Sequence, residues 1–199
     1  MLRNSMLGGI MTHRTQINLA KILEVAVDIC NEEGYEQLVL SSISERLGIK
    51  TPSLYNHIEG LSDLKQQIAY HGLKMLYDTI IHSVIGYIGD DAIVSASKAY
   101  IGFVNKNPGL YSAISKVPDP YESQFDVLSN QLVQVLIKLF GVYHLSDEDS
   151  IHAVRGLRSI LHGFASIQMD GGFRMNYLQE DSLDFVLVTF LKGLRYKKN

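Results

Sequence analysis

From about Gln16 to Glu33 the apolar residues Ile17, Ala20, Ile22, Leu23, Ala26, Val27, Ile29 and Cys30 fall on one broad helical stripe. Glu24, Asp28 and Glu32 lie opposite, and Gly34 ends the run. Between Ser41 and His57 the pattern breaks into two short pieces. Ile43 and Leu47 give the first an i, i+4 apolar face, Ser41 and Ser42 supply hydroxyls able to cap its start, and Gly48 offers the permissive backbone of a helix C-terminus. Thr51 as a cap, Pro52 at a first helical position where a missing N–H costs nothing, and Leu54 and Ile58 at the same spacing predict a second helix three residues on. Tyr35 and residues 38–40 pack beneath the pair. The pattern is that of a helix-turn-helix.

After Gly60, Ser62 caps a long helix through Leu64, Ile68, Leu73, Leu76, Ile80 and Ile81 toward Val84. Periodicity predicts further helices over about 90–106, 108–115 (opened by Pro108) and 121–140, with Pro118 and Pro120 separating the last two. Ser146 and Asp149 form a capping-box pattern leading a helix over 147–169, which Gly171 and Gly172 stop, and a last helix runs over 179–196. No strand alternation and no repeat appears. The expected fold is all-α with about nine helices: an arm at 1–13, a three-helix unit at 14–60 and a larger helical domain at 61–199. Met1, Met6, Met11 and the Gly8-Gly9 pair mark the arm as a flexible or extended start upstream of a later methionine.

With 199 residues and 46% hydrophobic content, a sizeable core is expected. No uninterrupted apolar run reaches the roughly 18 residues of a membrane span, and no secretory pattern opens the chain, so a cytoplasmic protein without membrane contact is expected. The single Cys30 excludes an internal disulfide and reads as a small buried hydrophobe. His144, His152 and His162 do not stand at metal-ligand spacing, and no glycine-rich phosphate loop or Ser-His-Asp order is present. Neither an enzyme, a cofactor nor a metal is expected.

Charge argues mildly against nucleic acid. The net charge is −3, and residues 1–60 hold five basic side chains (Arg3, Arg14, Lys21, Arg46, Lys50) against seven acids (Glu24, Asp28, Glu32, Glu33, Glu36, Glu45, Glu59). Locally the balance reverses: between Arg46 and Ile58 there are two cations, His57 and no acid. Lys50, Thr51, Ser53, Tyr55, Asn56 and His57 therefore form a polar face of the kind that bonds phosphates and base edges.

The leading helix ending in Glu-Glu-Gly-Tyr, the segment L-V-L-S-S-I-S-E-R-L-G-I-K-T-P-S-L-Y-N-H-I and the following L-S-D-L resemble the DNA-binding domain of the TetR family over about residues 16–70. R-G-L-R-S-I-L-H-G-F-A-S-I at 155–167, followed by Gly-Gly-Phe, is similar to the ligand-binding domain of one branch of that family. The resemblance implies a homodimeric regulator, a repressor that binds a palindromic double-stranded operator and is released by a small molecule. It makes 61–199 a ligand-binding and dimerisation domain. By position it implies phosphate contacts from Thr51, Tyr55 and His57, base contacts from Lys50, Ser53 and Asn56, and a phosphate at the helix start holding Ser41 and Ser42. The family's usual lysine at the start of the following helix is replaced by Leu61, so Lys65, or Arg3, His13 and Arg14 of the arm, would take its part.

For the effector, Tyr100, Phe103, Tyr111, Phe125, Arg158, His162 and Met169 are the candidate contacts, with Tyr121 and Phe173 among the same aromatic set. Arg158 stands one turn before His162 and joins it in holding a polar group. The expected ligand is small and apolar or aromatic. Apolar stripes on the last two helices (Ile151, Val154, Leu157, Ile160, Leu161, Phe164; Leu183, Val186, Leu187, Phe190, Leu194) point to a homodimer through a four-helix bundle. The rival reading is a scaffold of this type that acts as a protein-interaction or adaptor module without operator binding.

Overall fold

The computed structural model describes residues 17–116 and 123–196. Eight α-helices follow one another: α1 (Leu19–Glu32), α2 (Leu40–Leu47), α3 (Leu61–Ser83), α4 (Gly89–Lys106), α5 (Pro108–Lys116), α6 (Gln124–Phe140), α7 (Asp147–Met169) and α8 (Gln179–Tyr196). Three 3₁₀ segments, Tyr35–Gln37, Thr51–Asn56 and Gly141–Tyr143, join them. Among the described residues there is no strand, and the six-residue 51–56 segment is the ninth helix of the expected all-α architecture. The arm, the Pro118–Pro120 separator and Tyr121 lie outside the described residues.

Side-chain caps set the starts of α1, α6 and α7. The Asn18 side chain accepts from Lys21 N–H at the start of α1. Ser123 and Asp126 complete a reciprocal capping box at α6, and Ser146 accepts from Asp149 N–H at α7. Three expected caps are not used, at α2, at α3 and at residues 51–56, where Lys50 is the cap residue and Thr51 already lies inside the segment, which moves Pro52 to its second position. α2 begins one residue before Ser41, behind Val39, because Leu40 is drawn in against the core; Ser41 and Ser42 therefore occupy the first turn. At α3, Ser62 is likewise inside the first turn, and Asp63 reaches back to accept from Glu59 N–H at 2.8 Å.

α3 is the spine. It packs on α1 at one end and on α4, α5 and α6 along its length, while α7 covers α4 and α6, and α8 lies over α4 and α7. Ile22, Ile29, Leu38, Ile43 and Leu54 belong to the same buried cluster as Leu64, Ile68, Leu110, Phe140, Leu157 and Leu187, so the core is continuous across residue 60. Polar ties reinforce the joints: Lys98 with Glu180 and Asp184 between α4 and α8, and Arg195 with Asp90 at 2.7 Å.

The closest joint is between α5 and α1. A Cβ built on Gly109 would stand 2.2 Å from the carbonyl carbon and oxygen of Cys30, so only glycine lets these backbones meet. Gly109 N–H donates to Asn31 Oδ1 at 2.9 Å, which caps the first turn of α5 from a helix 78 positions earlier. Lys116 at the other end of α5 pairs with Glu36.

The segment Gln124–Tyr143 is long and apolar enough on average to cross a membrane, although no uninterrupted apolar run exists, because interspersed Gln, Asn and Lys leave the mean high. Its pattern is amphipathic. Gln124, Asn130, Gln131, Gln134 and Lys138 are exposed, whereas Leu128 and Phe140 are buried and Leu132, Val133 and Leu136 pack inward.

Candidate nucleic-acid interface and cavity

α2 ends at Gly48, whose φ of +64° is left-handed, and Ile49 N–H reaches back to Ser44 C=O at 3.0 Å. The chain then passes through extended Lys50 into Thr51–Asn56. The second motif helix is thus 3₁₀, with Ser53 N–H bonded to Lys50 C=O at 2.9 Å and His57 N–H to Leu54 C=O at 2.9 Å. Leu54 is fully buried and Ile58 nearly so, while Leu47 and Ile49 are half-buried against the same core. Lys50, Ser53, Asn56 and His57 are exposed, and Tyr55 is 57% exposed. None of these five side chains has a hydrogen bond or ion pair within the described residues, so all five are available to another molecule.

Thr51 stands differently. Ser44, buried beneath it, donates its hydroxyl hydrogen to Ser41 C=O at 2.9 Å, so the 2.9 Å contact between the two hydroxyls is one in which Thr51 donates to Ser44. A phosphate oxygen needs a donor, and the hydrogen of Thr51 is already committed. Its hydroxyl pins the 3₁₀ segment to α2. Ser41 and Ser42, inside the first turn of α2, retain first-turn backbone N–H groups of the kind that hold phosphate.

The local positive charge is smaller than the count from Arg46 to Ile58 suggests. Arg46 folds back onto the end of α1, 2.8 Å from Glu32 and beside Glu33, and these bonds hold its guanidinium above its usual pKa. Lys50 is then the remaining unpaired formal cation of that stretch. Lys65 lies 4.8 Å over the Tyr35 ring, a cation–π contact that ties its ammonium to the fold, and Leu61 packs against the core.

The second candidate site is a partly open cavity of about 620 Å³ lined by residues of α3 to α7. Tyr100, Tyr111, Phe125, Arg158 and His162 line it; Phe103 and Met169 do not. Phe103 faces the packed core, and Met169, at the far end of α7, is exposed. Phe173 stacks on Phe164 with ring centroids 4.8 Å apart, outside the cavity walls. Leu73, Leu76, Ile80, Leu132, Leu136 and Arg155 also line it. Of these, Arg155 was within reach of sequence reasoning, since it precedes Arg158 and His162 at i, i+3 and i+7. The aliphatic walls look in sequence like any other core.

Inside the cavity the hydroxyls of Tyr100 and Tyr111 are 2.7 Å apart, and Tyr111 bonds Nδ1 of His162. Burial, then the hydrogen bond with Tyr111, pushes the Tyr100 phenol well up, against a smaller downward pull from the Arg158 charge. A separate shallow cleft of about 370 Å³ lies at the start of α4, where Asp90 accepts from Tyr143 at 2.6 Å and from Arg195. Among the described residues no group of His, Cys, Asp and Glu is placed to hold a metal ion.

Comparison with known proteins agrees with this layout. Residues 93–190 match the family described as Tetracyclin repressor-like, C-terminal domain. The chain is 36% identical over 186 residues to the uncharacterized HTH-type transcriptional regulator YobS of Bacillus subtilis (strain 168), covering 92% of this chain and 96% of that one. In fold it is similar to a protein with unknown function from Rhodococcus sp. RHA1, with a TM-score of 0.80 and 15% identity over 93% of this chain and 99% of that one. It is similar too to a TetR variant from Acinetobacter baumannii AYE in complex with minocycline, with a TM-score of 0.67 and 14% identity over 92% of this chain and 99% of that one. With its helix-turn-helix in place and its relative aligned along nearly the whole length, the chain belongs to the TetR family of DNA-binding transcriptional regulators.

Proposed function

We propose that this protein is a repressor that holds a palindromic operator as a homodimer and releases it when a small molecule fills the cavity. The observation that carries the DNA-contact part is the 3₁₀ segment, in which buried Leu54 anchors a row of unpartnered polar side chains. Lys50, Ser53 and Asn56 read base edges; Tyr55 and His57, together with the first-turn N–H groups at Ser41 and Ser42, hold phosphates. Thr51 positions the segment.

The coupling runs through α5. This helix sets Tyr111 and Ile114 into the cavity wall and meshes Gly109 with α1, so a ligand that displaces α5 moves the first helix of the DNA-binding unit. The dimer forms through α7 and α8. Val154, Leu157, Leu161, Leu183 and Leu187 are buried within one chain, which leaves Phe185, 75% exposed, with Val188 and Ile167 as the apolar surface for the second copy.

A gel shift with DNA from upstream of its own or a neighbouring gene tests this reading. The expected result is a retarded complex that weakens steeply with salt and is lost in Tyr55→Ala, with the variant's melting temperature unchanged. The pairing of Arg46 with Glu32 and Glu33 favours the adaptor reading to the extent that it lowers the positive charge. A salt-insensitive interaction, or full binding by Tyr55→Ala, would decide for that reading.

A further inference from the structure

The cavity's polar groups are unbalanced in one direction. Arg155, Arg158 and His162 line it from α7, and no aspartate or glutamate is among its described lining residues. Neither guanidinium has an ion pair or hydrogen bond within the described residues. The tyrosine chain adds to this. The Tyr100 hydroxyl, the Tyr111 hydroxyl and His162 Nδ1 form one hydrogen-bonded chain that contains no carboxylate. That end of the cavity offers two cations and no anion. Ser97 and Ser159 add no balancing charge, since their hydroxyls donate to Ile93 and Arg155 carbonyls in their own helices.

The rest of the wall is mainly aliphatic, with Phe125, Ser115 and Ser129 set among the aliphatic side chains. Leu73, Leu76 and Ile80 of α3 face Leu132, Val133 and Leu136 of α6 across the same space. An apolar body fits there, and hydrocarbon burial supplies its binding energy. Arg155, Arg158 and His162 are solvent-exposed at this edge of the cavity, so beside a neutral apolar compound they stay hydrated, whereas an anion pairs the guanidiniums through charge-assisted bonds.

Accordingly we propose that the effector is an aliphatic chain ending in a single acidic head, the head held by Arg155, Arg158 and His162 and the chain lying between α3 and α6. This narrows the expectation of an apolar or aromatic ligand, and it rests on the cavity being the effector site.

The test uses the full chain and a neutral apolar dye, Nile red, displaced in turn by dodecanoate, dodecyl phosphate, dodecanol and dodecylamine below their aggregation concentrations. One of the two anions should displace the dye at a concentration roughly 10- to 100-fold lower than dodecanol, with dodecylamine weakest. Whichever anion binds tighter identifies the head. In Arg155→Gln/Arg158→Gln the ratio of anion to alcohol affinity should collapse toward one, a ratio that general loss of folding would not move. Equal displacement by dodecanol, stronger displacement by dodecylamine, or an unchanged ratio in the double variant would overturn the proposal. Failure of Nile red to bind, or binding that persists in Leu136→Trp, would bring down the cavity reading itself, and the proposal with it.

Discussion

Replacing Gly109 by alanine places one methyl group where two backbones already touch. Its Cβ would lie 2.2 Å from both the carbonyl carbon and oxygen of Cys30 and 2.6 Å from Asn31 N. Ordinary carbon contacts sit at about 3.5–4.0 Å, so the shortfall exceeds about 1 Å, and backbone atoms cannot rotate aside as a side chain can. α5 must move away from α1, and the 2.9 Å bond from Gly109 N–H to Asn31 is stretched beyond use. Overpacking costs about 1–3 kcal/mol and the lost hydrogen bond about 1, offset by at most about 1 from the reduced freedom of the unfolded chain. The net destabilisation is about 1–4 kcal/mol. At about 2–4 °C per kcal/mol for a chain of this size, the melting temperature falls by about 2–16 °C. Thermal unfolding followed by circular dichroism reads this directly, with Gly102→Ala as the control. Gly102 is helical, and its added Cβ would meet nothing within 4 Å, so that variant should gain up to about 1 kcal/mol. Operator affinity should fall in Gly109→Ala and hold in Gly102→Ala. A Gly109→Ala protein that melts within a degree of the wild type and binds operator equally well would refute the close α1–α5 joint.

Thr51→Val removes the hydroxyl that donates to Ser44 and should cost about 1 kcal/mol in urea unfolding, with weaker operator binding, while Thr51→Ser restores both. Burial pushes the Cys30 thiol up to about 11, so a thiol-reactive dye at pH 8 should label it only at the rate of unfolding, and labelling within seconds would contradict the packing. Because that raised pKa belongs to the folded state, its contribution to stability is complete below pH 9 and is lost as pH rises toward 11, a decline that Cys30→Ala should lack. Burial raises the Asp90 carboxyl, but bonds from Tyr143 and Arg195 outweigh it and hold the pKa below its usual value. Tyr143→Phe should therefore lose stability at neutral pH, and the loss should shrink as pH falls through the carboxylate range, as a melting series from pH 7 to pH 3 would show.

Most helices were legible in the sequence because their signals are local. Pro108 opens α5, the Ser146–Asp149 pattern starts α7, and the stripe from Leu183 to Leu194 defines α8. Ser41, Ser42 and Ser62 misled as caps because a preceding leucine joins each helix when the core takes it in, a tertiary effect that no capping rule contains. Thr51 looked available for DNA, and Arg46 counted as local positive charge, for a related reason. Their partners, Ser44 and the Glu32–Glu33 pair, are fixed by how α1 and α2 fold back, not by spacing along one helix. Most of the cavity wall escaped notice since residues such as Leu73, Leu76, Leu132 and Leu136 carry no mark that separates wall from core. Gly109 has the same character: only the approach of α1 reveals why it lacks a side chain.

The 3₁₀ form of residues 51–56 sets the grammar of what this protein can read. A 3₁₀ helix returns to the same side every three residues with a rise of about 2.0 Å per residue, so Ser53 and Asn56 stand in line about 6 Å apart. Lys50 is hinged to the same ridge through the bond from Ser53 N–H. Successive bases along a strand are separated by about 3.4 Å, so two steps nearly match one turn of the ridge. An α-helix would fan these side chains out; a 3₁₀ ridge laid along a strand would set them at every second base. Under the proposed base contacts the half-site is a gapped word, in which alternate base pairs are strict and those between them are free to drift.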